Sequence, residues 1–468
     1  MKWLGRHIKN ENSDAWLKHY NALRAKNRQY RICHAPFKSL TFFLGGKVMS
    51  CWHNKQYLLG SIPENTIKEI WNGEPLQKLR KAIEEKSLDL GCFECRKNLH
   101  TENFSAAGAM RYDYLPETGS GFPVSLDFQI DDTCNNECIM CNGEYSSTVR
   151  ICREKKERYS NPYTEDFVHQ LDEFIPHLKE ASFSGGEVFL SDRYFRIWDR
   201  FLELNPAIKV SVTTNGTVWN EKVQEYLSKM HFNINLSIDT LDPDLFARIR
   251  KNSDIETVRK HLEYFMAYSR ERGSELTVRV CIMQQNWQHV PGLIRFLNDK
   301  GIRLHINHVI FPAYSSLLAC KPDVIKGIFD NLSHAFPEKT KMPHNNRMVW
   351  DDFLSTLSGW QQLSEQFYGG AYKDMTLEQL RDEMLKKITR HVNERNFGTD
   401  AAKKEQIGEF TQMLSRCISE ISSQEVLRRA FRYFLLFPVN RLVDEMQIRT
   451  AEKMVEFTRQ AGVIQTEN

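Results

Sequence analysis

The stretch Thr133-Cys-Asn-Asn-Glu-Cys-Ile-Met-Cys-Asn142 decides how the rest of the chain is interpreted. It places Cys134, Cys138 and Cys141 in a Cys-x3-Cys-x2-Cys spacing, directly after the alternating apolar and polar residues 124–130. Three thiolates bound to a four-iron cluster leave one iron without a protein ligand. Zinc usually takes four ligands in paired spacings, so a zinc site, or thiols that bind no metal, are the less favoured interpretations.

Runs of strand periodicity alternate with runs of helical periodicity on both sides of this motif. The predicted strands are residues 124–130, 181–184, 208–213, 232–238, 276–282 and 303–310. The predicted helices between them are residues 165–180, 192–204, 220–230, 254–272 and 290–300. Strand, helix, strand at this spacing indicates a parallel sheet with crossover helices. We therefore expect an α/β fold, a partial (βα)6 TIM-type barrel with its site at the carboxyl ends of the strands.

A cysteine-bearing segment precedes this region and a helical segment follows it. Apolar runs on either side of Gly45-Gly46 predict a hairpin, between a lead-in helix over residues 13–26 and a helical stretch that ends near Lys86. Residues 321–468 are mostly helical, with clear periods at 376–392, 402–421 and 424–436. We expect three domains: a small cysteine-rich α+β module over residues 1–105, the barrel over 120–315 and a helical extension over 320–468.

Composition excludes some partners and suggests a compartment. The 63 basic residues nearly balance the 60 acidic ones, so a net charge of +3 gives no reason to expect a nucleic-acid partner. No stretch approaches the ~20 apolar residues of a membrane span, and residues 1–10 do not look like a signal peptide, so we expect a cytoplasmic protein without a membrane partner. The chain has eleven cysteines, and the clustering of seven of them then favours metal ligands over disulfides.

Three further segments, each at a predicted strand end, carry a resemblance to a known family. Ser184-Gly-Gly-Glu187 follows the second strand, Thr213-Thr-Asn-Gly216 ends the third, and Ser237-Ile-Asp239 ends the fourth. Together with the cysteine loop they resemble the radical S-adenosylmethionine (SAM) superfamily, in which Gly-Gly-Glu is a known motif. Met140 stands where many relatives have an aromatic residue just before the last cysteine.

The resemblance implies a catalytic [4Fe-4S] cluster on Cys134, Cys138 and Cys141 and SAM bound at its open iron. One electron from the reduced cluster would break a C–S bond, giving methionine and a 5′-deoxyadenosyl radical that removes hydrogen from a substrate. The resemblance also implies SAM-binding residues; these are Gly185, Gly186 and Glu187 at the amino group, Thr214 and Asn215 after the third strand, and Ser237 and Asp239 at the ribose. A cap on the helix that begins near Pro243 is the alternative role for Asp239, and Gln284 or Asn286 could also reach SAM.

Four more cysteines precede the barrel, namely Cys33, Cys51, Cys92 and Cys95. Four thiolates can bind one four-iron cluster or one zinc ion. The segment resembles SPASM/twitch modules, because residues 59–62, residues 69–73 and Arg80 also match. Four cysteines in place of seven are closer to the one-cluster twitch version, which implies a second [4Fe-4S] cluster that relays electrons. The module precedes the barrel here, whereas in the family it usually follows.

The remaining features have ordinary explanations. Four cysteines are isolated, namely Cys152, Cys281, Cys320 and Cys417. Cys281 lies in a predicted strand and is expected in the core. At Cys320, a catalytic thiol is the weaker alternative to a structural one.

A segment near the carboxyl end interleaves Arg428, Arg429 and Arg432 with aromatic residues. This pattern predicts a packed amphipathic helix with a solvated basic side.

The resemblance implies a radical SAM enzyme that takes electrons from a reductant such as ferredoxin or flavodoxin. Its relatives with SPASM/twitch modules often modify peptides or protein side chains, so a peptide or protein substrate is favoured. Dehydrogenation or rearrangement of a small molecule is the alternative, and a non-catalytic iron–sulfur electron-transfer protein is the contrasting class. The sequence does not identify a catalytic residue that would act on the substrate.

Overall fold

The computed structural model describes residues 15–116, 121–338, 341–395 and 397–463. Residues 1–10, the segment without a signal-peptide pattern, and Ser13, the start of the predicted lead-in helix, lie outside the described residues. None of the helices in the described ranges is both long enough and apolar enough to cross a membrane.

The amino-terminal part combines short helices with a small hairpin. Its elements in chain order are α1 (Ala15–Ala22), α2 (Ala35–Lys38), β1 (Ser39–Phe43), β2 (Lys47–Met49), β3 (Gly60–Ser61), α3 (Ile67–Asn72), α4 (Glu74–Glu84) and α5 (Phe93–His100). The predicted hairpin is confirmed, because β1 and β2 pair antiparallel with Thr41 opposite Met49. A capping box formed by Thr66 and Glu69 starts α3.

The central part alternates strands with helices as predicted. Its elements are β4 (Ser125–Gln129), β5 (Glu137–Cys138), α6 (Glu165–Gln170), β6 (Glu180–Phe183), α7 (Asp192–Leu204), β7 (Lys209–Thr214), α8 (Glu221–Lys229), β8 (His231–Ser237), α9 (Pro243–Ile249), β9 (Arg250–Lys251), α10 (Ile255–Arg272), β10 (Leu276–Ile282), α11 (Val290–Asp299) and β11 (Arg303–His308). Strands β4, β6, β7, β8, β10 and β11 are neighbours in that order and pair parallel, so the predicted six-strand parallel sheet is confirmed.

One predicted helix is shorter than expected. The sequence predicts a helix over residues 165–180, but α6 ends at Gln170 and two 3-10 turns, Leu171–Glu173 and Ile175–His177, lead into β6. Pro176 lies in the second turn, where it lacks the backbone N–H that a continuing α-helix needs. The chain thereby reaches the sheet at Glu180.

The amino-terminal hairpin is part of the barrel sheet. β1 pairs parallel with β4 along its whole length, with Thr41 beside Asp127, so the sheet has nine strands in the order β11-β10-β8-β7-β6-β4-β1-β2-β3. The edge of the first barrel strand is therefore covered by the cysteine-bearing segment. β5 and β9 form a separate two-stranded pair, Cys138 opposite Arg250, that joins the cysteine loop to the chain after α9.

Helices make up the carboxyl-terminal part, as predicted. They are α12 (Pro322–Ser333), α13 (His344–Gly369), α14 (Leu377–Asn393), α15 (Asp400–Glu420), α16 (Gln424–Leu435), α17 (Val439–Ile448) and α18 (Ala451–Gly462). The amphipathic helix predicted around Arg428 is α16, which buries Phe431, Tyr433 and Phe434. Its arginines are not only solvated, because the Arg432 guanidinium lies 4.6 Å from the Phe367 ring.

Candidate active site

A cavity of about 510 Å³ lies at the carboxyl ends of the parallel strands. Cys134, Cys138 and Cys141 line it from the loop that follows β4. Residues at the ends of the other strands complete its barrel wall; they are Gly186, Thr213, Thr214, Asn215, Ser237, Cys281, Asn307 and His308. The structure therefore brings the cysteine motif together with most of the strand-end segments singled out in the sequence.

Buried polar contacts hold the start of the cysteine loop. The Asp131 carboxylate accepts hydrogen bonds from the Ser191 hydroxyl (2.7 Å), from Arg193 (2.5 Å) and from the backbone N–H of Thr133 (2.9 Å). Further along, the Cys134 N–H donates to Ser147 Oγ at 3.1 Å. Because these partners lie on different elements, the loop geometry is set by tertiary contacts and not by the loop alone.

The three thiols share one environment. Burial raises the pKa of Cys134 to about 11, and burial, with the neighbouring Cys138 and Cys134 thiolates adding to it, raises the pKa of Cys141 further. Burial also raises the pKa of Cys138, which the nearby Arg250 guanidinium partly offsets. Thiolates crowded in this way are costly without a metal, and metal binding to thiolates supplies the compensating positive charge.

The side chain of Asn136 supports an iron–sulfur cluster at this place. It is 1% exposed and lines the cavity between Cys134 and Cys138; among the described residues its oxygen has no hydrogen-bond partner, and its nitrogen has none apart from the Cys138 thiol, whose pKa it helps to lower. A buried amide without a partner is unfavourable, whereas cluster sulfurs accept hydrogen bonds of this kind. The donor set and this amide therefore fit a cluster.

In the described ranges, no three His, Cys, Asp or Glu side chains form a group that could hold a single metal ion. A four-iron cluster does not need that closeness, because each thiolate binds a different iron atom.

The Gly-Gly-Glu segment lies against the cysteine loop. Gly186 has φ +54° and lines the cavity, and a Cβ atom there would lie 2.2 Å from the carbonyl oxygen of Thr133. Gly185, with φ +87°, approaches the Asp131 carbonyl in the same way but does not line the cavity. Glycine is needed at Gly186 for both its conformation and this close approach.

Glu187 lies behind the cavity wall and joins two strand ends. Its buried carboxylate accepts from the Thr214 hydroxyl (2.7 Å), the Asn215 N–H (2.6 Å) and the Phe189 N–H (3.1 Å). Burial raises its pKa although these donors oppose the rise. Asn215 also donates its side-chain amide to Asn135 at 2.9 Å, so the second strand end, the third and the cysteine loop form one network.

Of the two predicted ribose contacts, the structure places one on the cavity and one behind its wall. Ser237 lines the cavity, whereas Asp239 is fully buried behind the wall, 2.9 Å from the Arg250 guanidinium and 2.7 Å from the Cys281 N–H that it accepts. The alternative role for Asp239 is wrong, because the cap of α9 is Asp242, which accepts from the Leu245 N–H. Asp239 instead holds Arg250, which lines the cavity and has its guanidinium 4.0 Å from the Cys138 sulfur.

The weaker candidates also have defined positions. Gln284 and Asn286 do not line the cavity; the Asn286 amide donates to the carbonyls of Asp239 and Cys281, both at 2.9 Å. Cys281 was expected in the core, but it is only partly buried and lines the cavity. Cys320 is not among the lining residues, and burial raises its pKa to about 12, which disfavours a reactive thiolate.

The four amino-terminal cysteines lie close to one another beside the sheet edge. Burial, then the charges of Cys51 and Cys95, raises the pKa of Cys33, and burial followed by the charges of Cys51, Cys95 and Cys33 raises that of Cys92. Two sulfurs already have N–H donors: the Ala35 N–H for Cys33 and the Asn54 amide for Cys92, both at 3.4 Å. Grouped thiols with N–H donors suit an iron–sulfur cluster.

The helical wall of the cavity was not predicted from the sequence. Glu445 and Arg449, on and just after α17, and Phe457 on α18 line it opposite the cysteines. Arg449 is buried, pairs with Glu445, lies 3.4 Å from the Glu144 carboxylate, and has its guanidinium 4.2 Å from the Phe457 ring. The pairing of residues about three hundred positions apart leaves no local pattern in the sequence.

Family models match both cysteine-bearing segments. Residues 129–297 match the model of the radical SAM superfamily, and residues 33–96 match SPASM, an iron–sulfur cluster-binding domain. The chain therefore carries a radical SAM domain preceded by a SPASM domain. A radical SAM domain implies a [4Fe-4S] cluster and SAM, and a SPASM domain implies additional iron–sulfur clusters.

Similar proteins with known names match part of the chain. A probable GTP 3′,8-cyclase of Methanocaldococcus jannaschii is 28% identical over 184 residues, which are 39% of this chain and 57% of that protein. The GTP 3′,8-cyclase of Rhodopseudomonas palustris is 23% identical over 193 residues, 40% of this chain and 52% of that protein. The chain thus spans about half the length of these relatives.

Solved structures show more distant similarity. The structure of native anSMEcpe with bound AdoMet covers 50% of this chain and 62% of its own, at 19% identity and a TM-score of 0.36. Streptococcus suis SuiB bound to precursor peptide SuiA covers 60% and 64%, at 16% identity and a TM-score of 0.35.

Proposed function

We propose that this protein is an enzyme that reductively cleaves SAM and removes a hydrogen atom from a substrate. The observation that carries the proposal is that Cys134, Cys138 and Cys141 line one cavity together with the ends of five strands. Bound there, a [4Fe-4S] cluster with one open iron would bind SAM and supply the electron that breaks its C–S bond. The chain's own residues would orient SAM and exclude water.

The barrel wall would orient SAM. The Ser237 hydroxyl and the backbone carbonyl of Gly186 offer neutral partners for hydroxyl and amino groups. Arg250, fixed by its buried pair with Asp239, would offer a guanidinium to a carboxylate. In this scheme Glu187 and Asp239 act as positioning residues, since their carboxylates are already taken by protein donors.

The amino-terminal module would hold a second cluster on Cys33, Cys51, Cys92 and Cys95. With four thiolates on four irons, electron relay is its simplest role. Two features support this: the grouping of the thiols, and the continuous pairing of β1 with β4, which fixes the module beside the strand that leads into the catalytic loop. A reductant such as ferredoxin or flavodoxin would supply the electrons.

The substrate we favour is a peptide or protein side chain, which would be modified after hydrogen removal. A small molecule is the second candidate, because the named relatives of the barrel region are GTP 3′,8-cyclases. Matched synthetic assays separate the two: candidate peptides and candidate nucleotides are each incubated with enzyme and SAM, and the consumed one is identified by mass spectrometry.

The test of the chemistry is SAM cleavage by the reconstituted protein under strong reductant. We expect 5′-deoxyadenosine from the unmodified protein and none above background from Cys138→Ala. Cys152→Ala removes an exposed cysteine outside both groups and should behave like the unmodified protein. Intact clusters without 5′-deoxyadenosine would instead support a non-catalytic iron–sulfur protein.

A further inference from the structure

A second chamber of about 250 Å³ adjoins the catalytic cavity. It lies between the amino-terminal module, which contributes Trp52 and Glu94, and the carboxyl-terminal helices, which contribute Asp444. The two spaces share four lining residues, namely Ile310, Phe311, Glu445 and Phe457. A substrate group held in the second chamber would therefore lie next to the site of SAM cleavage.

Aromatic rings form much of the chamber wall. The ring of Phe311 lies 4.5 Å from that of Phe457 and 5.9 Å from that of Phe437, and Phe434 stacks on Phe457 at 5.4 Å. Trp52 lines the wall from the amino-terminal module. Aromatic faces attract cations as well as apolar groups. The Arg449 guanidinium lies 4.2 Å from the Phe457 ring and that of Arg441 lies 6.0 Å from the Phe437 ring, so Trp52, Phe311 and Phe434 are the rings that would contact an alkyl chain ending in a positive charge.

Two neighbouring carboxylates on α17 differ in their partners. Glu445 pairs with Arg449, and although burial raises its pKa, the charges of Arg449, Lys55 and Arg441 together lower it. Asp444 accepts from the neutral amide of Gln56 at 2.8 Å, and no cation lies within ion-pair distance of it among the described residues. Burial raises the pKa of Asp444 to about 7, opposed by Gln56 and by the more distant Lys55.

The charges around the chamber leave room for one more cation. Three half-buried carboxylates line the chamber, namely Glu94, Asp444 and Glu445. Arg449 forms an ion pair with Glu445, and the half-buried Lys55 also lines the chamber. Arg441 lines it as well but is exposed, where water screens its charge. With the buried Arg449 counted, these groups carry one more negative charge than positive. Asp444 and Glu94 both accept from neutral amides, that of Gln56 for Asp444 and that of Asn440 for Glu94.

We propose that the second chamber binds a cationic group of the substrate, an ammonium or a guanidinium, against Asp444 and the aromatic rings. The idea rests on the proposed function, since it assumes that the adjoining cavity is where the substrate reacts. An apolar occupant would leave Asp444 desolvated and unpaired, which is costly. An anionic occupant would face Asp444 and Glu94 directly.

The test compares three probes on the reconstituted protein with SAM and without reductant. Nα-acetyl-lysine methylamide represents a peptide side chain, n-pentylamine a free amine, and the 2-aminoheptanoic analogue of the first is its neutral isostere. By calorimetry the lysine probe should bind about tenfold or more tightly than its isostere. If pentylamine alone binds, the source of the cation is a small molecule; if the isostere binds as tightly as the lysine probe, the proposal is wrong.

Two variants are expected to change the affinity for the lysine probe in opposite directions. Asp444→Asn should weaken binding of the lysine probe about tenfold or more, because the paired charge is lost. Lys55→Gln should strengthen it, because a repelling charge is removed, and weaker binding by that variant would overturn the proposal. Glu64→Gln, an exposed carboxylate elsewhere, is the control. Because binding is measured apart from 5′-deoxyadenosine formation, failure here is distinguishable from failure of the SAM chemistry.

Discussion

The barrel wall and the helical wall of the cavity face each other but are held by different interactions. The barrel wall rests on backbone pairing of parallel strands and on short hydrogen bonds between strand ends, such as Glu187 to Thr214. The helical wall rests on buried ion pairs, with Arg449 between Glu144 and Glu445. We infer from this difference that the barrel wall supports the SAM chemistry and that the helical wall determines the substrate.

The strongest test of the barrel wall is Gly186→Ala. Its added Cβ would meet the Thr133 carbonyl at 2.2 Å, so the cysteine loop must shift. We expect the catalytic cluster to be lost, with iron falling from about eight to about four atoms per chain, since each four-iron cluster carries four. Iron and sulfide analysis and 5′-deoxyadenosine formation measure this.

Gly292→Ala in α11 is the matched control, because a Cβ there meets nothing within 4 Å. It should keep full iron content and full cleavage. Full iron in Gly186→Ala would show that the loop tolerates the displacement and that the contact with Thr133 does not determine cluster binding.

The next test concerns the helical wall and uses Arg449→Met. The arginine is 5% exposed, and its loss leaves Glu445 without its guanidinium partner and leaves the buried Glu144 with Lys453 alone, at 3.5 Å. Breaking a buried pair in this way costs about 3–5 kcal/mol. Denaturant unfolding should show this loss of stability, together with a decline in substrate turnover.

Arg429→Met is the control for that variant. Arg429 pairs with Glu425 on an exposed face of α16, at 2.8 Å with 29% and 57% exposure. Removal of such a surface pair costs about 0–1 kcal/mol. Equal losses from the two arginine variants would contradict the view that buried charge holds the helical wall.

The same comparison explains what the sequence reveals. The six parallel strands follow from local periodicity, and the rule that sites lie at strand ends places the cysteine motif and Ser237 on the cavity. Cys281 was misplaced although its strand carries the signal: in Leu276–Ile282 the alternation puts Cys281 on the same face as Thr277 and Arg279, away from the buried Val280. That pattern indicates a residue facing the barrel interior.

The helical wall has no comparable signal. Arg449 and Glu144 lie in different parts of the chain, and each alone resembles an ordinary surface charge. The position of Asp239 behind the cavity wall has a related cause, because its pairing with Arg250 depends on how α9 packs and not on strand periodicity. Contacts between elements decide these positions, so they require the structure.

The smallest expected effect concerns Asp444 and the pH dependence of stability. Burial raises its pKa to about 7, so the folded state binds this proton more tightly than the unfolded chain does. Stability from this group therefore falls as pH rises from about 4 to about 7 and stays level above that.

The charges of Lys55, Glu94 and Glu445 also change the pKa of Asp444. The test therefore uses single variants, which leave these other ionisable groups unchanged. In buffers without amines, Asp444→Asn should gain about 1–2 kcal/mol relative to the unmodified protein between pH 4 and pH 7. Asp382→Asn, at a carboxylate 65% exposed, controls for the substitution itself. A difference that does not change with pH would mean that Asp444 is not held in a desolvated chamber, and the reason to expect a cation beside it would be lost.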